Sequence, residues 1–201
     1  MNYQECISTI KELNRKFRYY KSIESLFEYD QWSALPDEGA AYRQETAAFI
    51  GDGKNALYRG EDARRSAAYL SGVSPDEIED DVERGLIRTF RFRYRNAVMT
   101  PEDTLRSYNM IKADCMKAWN QARAAKDYGI FMPWLKRAFE LKKEIARAID
   151  PDVPAFETLV GMTDEGLSVK EVTEQFDILK TGLRALLDRI SVTGQADAQA
   201  A

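Results

Sequence analysis

The feature that most constrains the fold is an apolar repeat with helical spacing, which runs along almost the whole chain. Because an α-helix turns once every 3.6 residues or so, apolar side chains at steps of three or four lie on one face, the face that a helix buries. Such a stripe opens the chain at Ile7, Ile10, Leu13, Phe17, Tyr20, Ile23 and Leu26. No segment shows sustained two-residue alternation between hairpin turns, the pattern typical of strands. We therefore predict an all-α fold.

Helix-start signals and breaks divide this repeat into about seven helices. In the segment from Ser74 to Glu77, serine can cap, proline suits the first helical position and glutamate completes a capping box. The segment from Thr100 to Asp103 repeats that logic, and Ser168 to Glu171 is a second capping box. The two glycines of Gly51 to Gly53 predict an interruption of the second helix. The predicted helices cover about residues 7–26, 40–58, 61–70, 75–97, 101–122, 133–149 and 168–190.

These helices are expected to pack as a multi-helix antiparallel array that forms a single domain over residues 1–190. A chain of 201 residues buries roughly 70% of the surface that it exposes when unfolded, so its core needs no covalent staple. Residues 191–201 are small and polar and are predicted to form a flexible tail. Cys6 and Cys115 lie far apart without motif spacing, which favours two reduced, buried thiols over a disulfide.

The sequence contains no histidine, and this absence excludes several kinds of site. Histidine is the usual base beside a serine or cysteine nucleophile and the commonest metal ligand at neutral pH. Carboxylates are plentiful, but a di-iron bundle also takes histidine, and Asp150 and Asp152 lack the spacing and central glycine of a calcium loop. We predict no catalytic, cofactor-binding or metal-ligating residue in this chain.

The most prominent charged feature is an arginine stripe at positions 84, 88, 91 and 95, with another arginine at 93. On a helix this stripe could bind phosphate or carboxylate groups, and the aromatic residues between the arginines are typical of a nucleic-acid surface. The net charge of −4 favours another interpretation, in which the aromatic side chains pack inward and the arginines form a solvated face. Asp80 and Asp81 stand four and three residues before Arg84, the order that suits helical ion pairs.

Three tryptophans, Trp32, Trp119 and Trp134, could stack a ligand. A tryptophan between helices contributes a large apolar surface and has a single donor to satisfy. We therefore expect these residues to serve helix–helix contacts.

Three sequence blocks, spread from about residue 29 to about residue 190, carry a family resemblance. The first contains Asp30, Gln31, Pro36, Gly39 and Arg43, with Tyr29 and Leu35 where the family pattern has tryptophan and methionine. The second and third blocks are residues 118–142 and 156–190. In this order the blocks resemble the N-terminal helical region of the carboxypeptidase Taq family of zinc metallocarboxypeptidases.

The resemblance implies an activity whose residues lie outside this chain. Full-length members of the family remove C-terminal amino acids from peptides, with a zinc ion held by a His-Glu-X-X-His helix and a third ligand. Those residues and the substrate-binding residues fall in a half that this sequence does not match, so no family catalytic residue is carried onto any position here. The resemblance also implies that the N-terminal helices form part of a wall or lid over a deep cleft. We predict a region that is non-catalytic by itself, and we expect zinc only in a full-length member.

A second prediction is a stand-alone helical module, derived from the same family, that binds a partner protein or peptide. A shortened lobe exposes apolar surface, so a homodimer or a complementary catalytic half is the expected partner, and peptide substrate binds only to a complete enzyme. The net charge of −4 predicts no nucleic-acid or membrane partner. The first residues lack a secretory signal, and no apolar run reaches the roughly 18 residues that span a bilayer, so a cytoplasmic location is predicted.

Overall fold

The computed structural model describes residues 1–33 and 35–193, and all regular structure in these residues is helical. The α-helices are α1 (Tyr3–Ser33), α2 (Ala40–Arg59), α3 (Glu61–Leu70), α4 (Asp81–Met99), α5 (Glu102–Ala125), α6 (Met132–Ile149), α7 (Ala155–Thr163) and α8 (Val169–Thr193). Short 3-10 helices lie at Asp37–Gly39, Pro75–Glu77 and Tyr128–Ile130. The all-α prediction is confirmed, with one helix more than predicted. Across the described ranges, no helix combines the length and apolar content that crossing a bilayer requires.

Most helix boundaries follow the signals in the sequence. α2 begins at Ala40, as predicted, and α6 begins at Met132, one residue before the predicted start at Pro133. At the predicted capping box of α8, Ser168 Oγ accepts the Glu171 N–H at 3.2 Å, and Glu171 Oε2 accepts the Ser168 N–H at 2.9 Å. These starts are local events, so neighbouring residues are enough to define them.

The start of α4 differs from the prediction. Pro75–Glu77 forms a 3-10 helix, and α4 begins only at Asp81. Ile78 lies between them with extended backbone, at φ −97° and ψ 109°, and its side chain is buried in the core. Burial of this apolar side chain outweighs the capping signal, because tertiary packing overrides local helix preference. Asp80 caps α4 instead, since its Oδ1 accepts the N–H groups of the second and third helical residues at 2.8 and 2.9 Å.

α2 runs without interruption through Gly51 and Gly53, so the predicted break is wrong. Two glycines weaken a helix, but packing against a neighbouring helix supplies the missing stability. A Cβ atom at position 53 would lie 2.8 Å from the Tyr20 hydroxyl of α1. The glycine therefore permits a close approach of α1 and α2.

The helix that the sequence does not predict is α7. It has nine residues, AFETLVGMT, which is too short for an apolar stripe to recur over several turns. Its apolar residues also lie on several sides of the helix, so periodicity does not single out a buried face.

The chain packs as two compact units, Met1–Asp152 and a second that begins at Val153. Every buried residue in the described ranges lies in the first unit. Its main core is formed by residues from all four of the first helices, α1, α2, α3 and α4, and by Ile78 before α4. These residues are Cys6, Ile7, Ile10, Leu13, Tyr58, Ala63, Leu70, Ile78, Ile87 and Phe90. Further buried residues on α5 and α6 are Ala118, Ala122, Leu141, Ile145, Ala146 and Ile149. A single domain over residues 1–190 stays a prediction, because compactness does not measure cooperative folding.

The second unit consists of α7 and α8, and none of its described residues is buried. A hydrogen bond of 3.1 Å from the Val169 N–H to Glu157 Oε1 joins the two helices. α8 continues to Thr193, so the first residues of the tail predicted over 191–201 are helical. Residues 194–201 of that tail lie outside the described residues.

Candidate functional site

The first family block lies at the turn between α1 and α2, where its residues hold one another in place. Asp30 Oδ2 of α1 lies 2.5 Å from Arg43 Nη2 of α2. This contact is an ion pair, because Asp30 Oδ2 accepts no hydrogen bond. Within the turn, the Leu35 N–H donates to Asp30 O at 3.0 Å, and the Gly39 N–H donates to Pro36 O at 2.9 Å. These residues of the first block therefore stabilise the turn between α1 and α2.

Charged side chains continue along the contact between α1 and α2. Lys54 of α2 forms an ion pair with Glu24 of α1, and Lys21 Nζ lies 3.2 Å from the same carboxylate. Burial alone would raise the pKa of Glu24. The hydrogen bonds and charges of the two lysines outweigh burial and leave that pKa below its ordinary value.

Two further lysines meet on one tyrosine ring. The Nζ atoms of Lys112 on α5 and Lys142 on α6 lie 5.4 and 4.3 Å from the Tyr108 ring centroid. Burial lowers the pKa of both amines, and the charge of Lys54 lowers that of Lys112 further. Tyr108 and Lys112 both belong to α5, so it is the cation–π contact of Lys142 with the ring that joins α5 to α6.

The arginine side chains of the stripe on α4 form hydrogen bonds and ion pairs within the chain. Arg91 donates to two carbonyl groups at the end of α3, Leu70 O at 2.5 Å and Val73 O at 2.6 Å. Arg95 donates to Asp150 Oδ2 at 3.0 Å, just after the end of α6. These contacts tie α4 to the ends of α3 and α6.

Two more arginines of α4 have partners close by. Arg93 donates to Asn14 Oδ1 at 2.7 Å, and its guanidinium lies 4.0 Å from the Phe17 ring centroid. Arg84 forms an ion pair with Asp81, one of its two predicted acidic neighbours. Arg91, Arg93 and Arg95 therefore connect α4 to other parts of the first unit, whereas the ion pair of Arg84 lies within α4. The stripe is not merely the solvated face that the sequence predicts.

A cavity of about 330 Å³ lies near the start of α1 and is lined mainly by acidic side chains. The Tyr3 hydroxyl donates to Glu83 Oε2 at 2.8 Å, and Lys11 Nζ lies 3.4 Å from Glu83 Oε1. Burial, and then the hydrogen bond to Glu83, raises the pKa of Tyr3 to about 12. The Glu83 carboxylate in this hollow is already engaged within the protein.

The tryptophans serve helix contacts only in part. The Trp119 ring of α5 makes an edge contact with Phe131, with centroids 5.3 Å apart, but 40% of the residue is exposed. Trp134 is exposed to a similar extent, and the side chain of Trp32 lies outside the described residues.

Both cysteines are free thiols. Cys6 is fully buried in the core, as predicted, whereas Cys115 is only half-buried. Burial raises the pKa of each thiol, so neither has the lowered pKa of an activated nucleophile.

The family model of the Carboxypeptidase Taq (M32) metallopeptidase matches residues 9–200 of this chain. The chain belongs to this M32 family. Relatives of this M32 chain include thermostable carboxypeptidase 1 of Pyrococcus furiosus, 26% identical over 190 residues, and that of Thermus thermophilus, 25% identical over 207 residues. The matches cover 93% and 97% of this chain but 38% and 40% of the relatives. The chain thus spans about two fifths of the length of these curated relatives.

Solved structures of M32 proteins have the same fold over this region. A structure of Pyrococcus furiosus carboxypeptidase, 25% identical, has a TM-score of 0.72 and covers 94% of this chain and 37% of that chain. Metallocarboxypeptidase 1 of Trypanosoma cruzi, 19% identical, has a TM-score of 0.73 and covers 96% of this chain and 39% of that chain. The family resemblance and the fold that it implies are confirmed.

In the part of this M32 chain that the structure describes, the side chains form no group that fits the metal ion of a metallopeptidase. Zinc takes histidine, cysteine and carboxylate donors that converge on one point, and the sequence contains no histidine. Within residues 1–33 and 35–193, no three acidic or cysteine side chains are grouped so that they could hold a metal ion. The prediction that the chain has no catalytic, cofactor-binding or metal-ligating residue stays a prediction, and we assign no reaction step to its side chains.

The predictions made from the sequence do not include two contacts of the matched blocks. Asp30 and Arg43 belong to the first block, but opposite charge is the only signal of their pairing across the turn. In the second block, Asp127 Oδ1 accepts the Gly129 N–H at 2.8 Å and so shapes the turn between α5 and α6. Here a signal exists, because an aspartate two residues before a glycine is typical of such turns.

Proposed function

We propose that this chain provides the N-terminal helical part of a zinc-dependent M32 carboxypeptidase and is non-catalytic until a metal-binding part joins it. The difference in coverage supports this proposal. Nearly the whole chain matches the Pyrococcus furiosus relative, yet the match spans only 38% of that relative. The missing histidine supports it as well, because the protein ligands of a catalytic zinc ion usually include histidine.

In the assembled enzyme, the product would be a free C-terminal amino acid and a shortened peptide. The metal-binding part would supply the zinc ion, which activates a water molecule for hydrolysis. The helices of this chain would border the cleft through which the peptide enters. Their ion pairs, such as Asp30 with Arg43, would keep that border rigid.

The test compares this chain alone with the same chain produced together with the remaining part of the Pyrococcus furiosus relative. Bound zinc is measured by elemental analysis, and release of C-terminal amino acids from a peptide is measured by amino-acid analysis. The chain alone should hold no stoichiometric zinc and release nothing, whereas the assembled protein should do both. The remaining part alone is the control for activity that does not need this chain. Zinc binding and turnover by the chain alone would overturn the proposal.

A stand-alone interaction module is the second candidate function, because the second unit exposes apolar side chains along α8. Exposed apolar surfaces favour association with another protein. This function predicts that the chain associates with itself or binds a peptide when no metal-binding part is present. Sedimentation equilibrium at increasing concentration tests self-association, and a strict monomer would count against it.

A further inference from the structure

An apolar surface runs along one side of α8. We call it the α8 face, and it consists of Val172, Phe176, Leu179, Leu183, Leu186 and Leu187. At about 100° per residue, these six positions fall within an arc of about 100° of the helix circumference. The last five of these residues are each between 48% and 63% exposed. The helix is therefore amphipathic, with its apolar side open.

The second unit contains little that could cover the α8 face. α7 contacts the start of α8 through Glu157, and Phe156 of α7 is itself exposed. No side chain described between Val153 and Ser191 is buried. Two helices without a core are marginal in water, because most helical stability in proteins comes from packing of the apolar face. Within the described residues of the second unit, the α8 face therefore has no partner surface.

The width of the α8 face indicates the kind of partner. A two-stranded coiled coil uses a narrow seam, whereas a helix of a globular core has an apolar stripe of about 100° or more. Leu187 widens the α8 face beyond the seam that the other five residues form. Lys180 and Arg184 are exposed beside that edge, so the complementary surface should carry carboxylates there. A folded protein with an apolar surface and an acidic rim fits better than a second copy of α8.

We propose that the α8 face is the surface on which this chain docks the metal-binding part of an M32 carboxypeptidase. This inference rests on the proposed function, which requires such a part. More than half of the Pyrococcus furiosus relative has no counterpart in this chain, because the match covers 38% of it. α8 lies in the last stretch of the matched residues 9–200, and the matched relative continues well beyond that stretch, since the match covers 38% of it.

The test uses two substitutions on the same helix. Leu183→Glu places a negative charge in the middle of the α8 face, and Thr181→Glu places the same charge at an exposed position on the opposite side of α8. The binding partner is the remaining part of the Pyrococcus furiosus carboxypeptidase, made separately, and isothermal titration calorimetry gives the Kd. The unaltered chain and Thr181→Glu should bind equally, whereas Leu183→Glu should bind at least about tenfold more weakly, because an unpaired charge opposes burial. Circular dichroism checks the helix content, and Leu179→Gln replaces Leu183→Glu if that variant loses helix.

The possible outcomes separate docking from function. Equal binding by Leu183→Glu and Thr181→Glu, or no binding by the unaltered chain, would overturn docking through the α8 face. Binding that depends on Leu183 without any peptidase activity would support docking while overturning the proposed function. A dimer of the chain alone that Leu183→Glu dissociates, seen by sedimentation equilibrium, would assign the face to a second copy and overturn the proposal.

Discussion

The two units of this chain carry similar apolar stripes, but only one of them buries its stripe. In the first unit, Ile7 and Ile10 of α1 are 2% and 1% exposed. In the second unit, Leu179 and Leu183 hold comparable places on α8 and are 52% and 51% exposed. An apolar stripe thus shows which side of a helix is suited to burial, whereas the surrounding structure decides whether burial occurs.

The units also differ in the range of their polar contacts. In the first unit, hydrogen bonds such as that from Tyr3 to Glu83 connect helices far apart in the sequence. In the second unit, the capping box of Ser168 and Glu171 spans a single turn. Local contacts start a helix without linking it to a core, so we expect the second unit to open more readily than the first.

The largest expected difference is between two leucine truncations. Leu70→Ala removes a fully buried side chain from the first unit and should lower the free energy of unfolding by about 2–5 kcal/mol. Leu183→Ala shortens a side chain of the α8 face and should change it by about 0.5 kcal/mol or less. Urea unfolding followed by circular dichroism measures both values. An equal loss at the two positions would show that the α8 face is buried in the isolated chain and would break the comparison.

The next effect concerns an arginine that links two helices of the first unit. Arg91→Met keeps much of the side-chain length but leaves Leu70 O and Val73 O without this donor, so we expect a loss of about 1–3 kcal/mol. Arg106→Met, at an exposed position of α5, is the matched control and should change the free energy of unfolding by about 0.5 kcal/mol or less. Thermal unfolding of both variants measures the difference, and similar values would argue against a linking role for Arg91.

A smaller effect is expected from Tyr3→Phe, which removes the hydrogen bond to Glu83 and should lower the free energy of unfolding by about 1–1.5 kcal/mol. Burial and then this hydrogen bond raise the pKa of Tyr3 to about 12 from an ordinary value of 10.0. The hydroxyl therefore contributes fully below about pH 10, and its contribution is lost as the pH rises from about 10 to about 12. Denaturation at neutral and alkaline pH measures this, with the exposed Tyr42→Phe as control. A difference between Tyr3 and Phe that persists near pH 12 would contradict the assignment.

The smallest effect is expected at the capping box of the second unit. Ser168→Ala should destabilise the start of α8 by about 0.5–1 kcal/mol, because the Glu171 N–H loses its acceptor. Hydrogen bonds from the Ser168 side chain and backbone hold the pKa of Glu171 below its usual value of 4.5. The contribution of ionised Glu171 is therefore present above about pH 4.5 and is lost as the pH falls through the lowered pKa.

Carbon chemical shifts of the first turn of α8, recorded as the pH is lowered, measure both effects. Ser191→Ala removes a serine from the other end of the same helix and is the matched control. If the two substitutions change the first turn equally, the capping box does not start α8.

The sequence predicts the fold where helix limits depend on near neighbours. The starts of α2 and α6 are of this kind, since they follow Gly39 and lie beside Pro133. The start of α4 is not, because it depends on burial of Ile78 among residues that are distant in the sequence. The carbonyl partners of Arg91 likewise belong to a segment about twenty residues earlier, which no local pattern indicates.

In the candidate site, too, contacts between residues that are distant in the sequence could not be predicted from local patterns. The types and spacing of Asp30 and Arg43 reveal the family, but their ion pair depends on how the turn folds. The stripe on α8 is visible in the sequence, but the exposure of Leu183 is a property of the packed chain. The prediction of no metal site rests on composition and on the spacing of Asp150 and Asp152, and neither a missing histidine nor a missing spacing needs a fold to be recognised.

Gly53 lies where α1 and α2 approach each other closely, and from this point both helices run for the same distance to the turn between them. From Tyr20 to Asp30, and from Gly53 back to Arg43, each helix runs for about ten residues, or about 15 Å. A methyl group at position 53 would leave two responses: the Tyr20 ring swings aside, or the helix axes diverge. If the helix axes diverged by about 10°, Asp30 and Arg43 would move apart by about 2–3 Å, which is enough to break their ion pair. Comparing Gly53→Ala with and without Tyr20→Leu distinguishes the two responses, because only the ring can block the methyl group. The absence of a side chain at Gly53 thus affects the ion pair of Asp30 and Arg43, which lies two to three helical turns away.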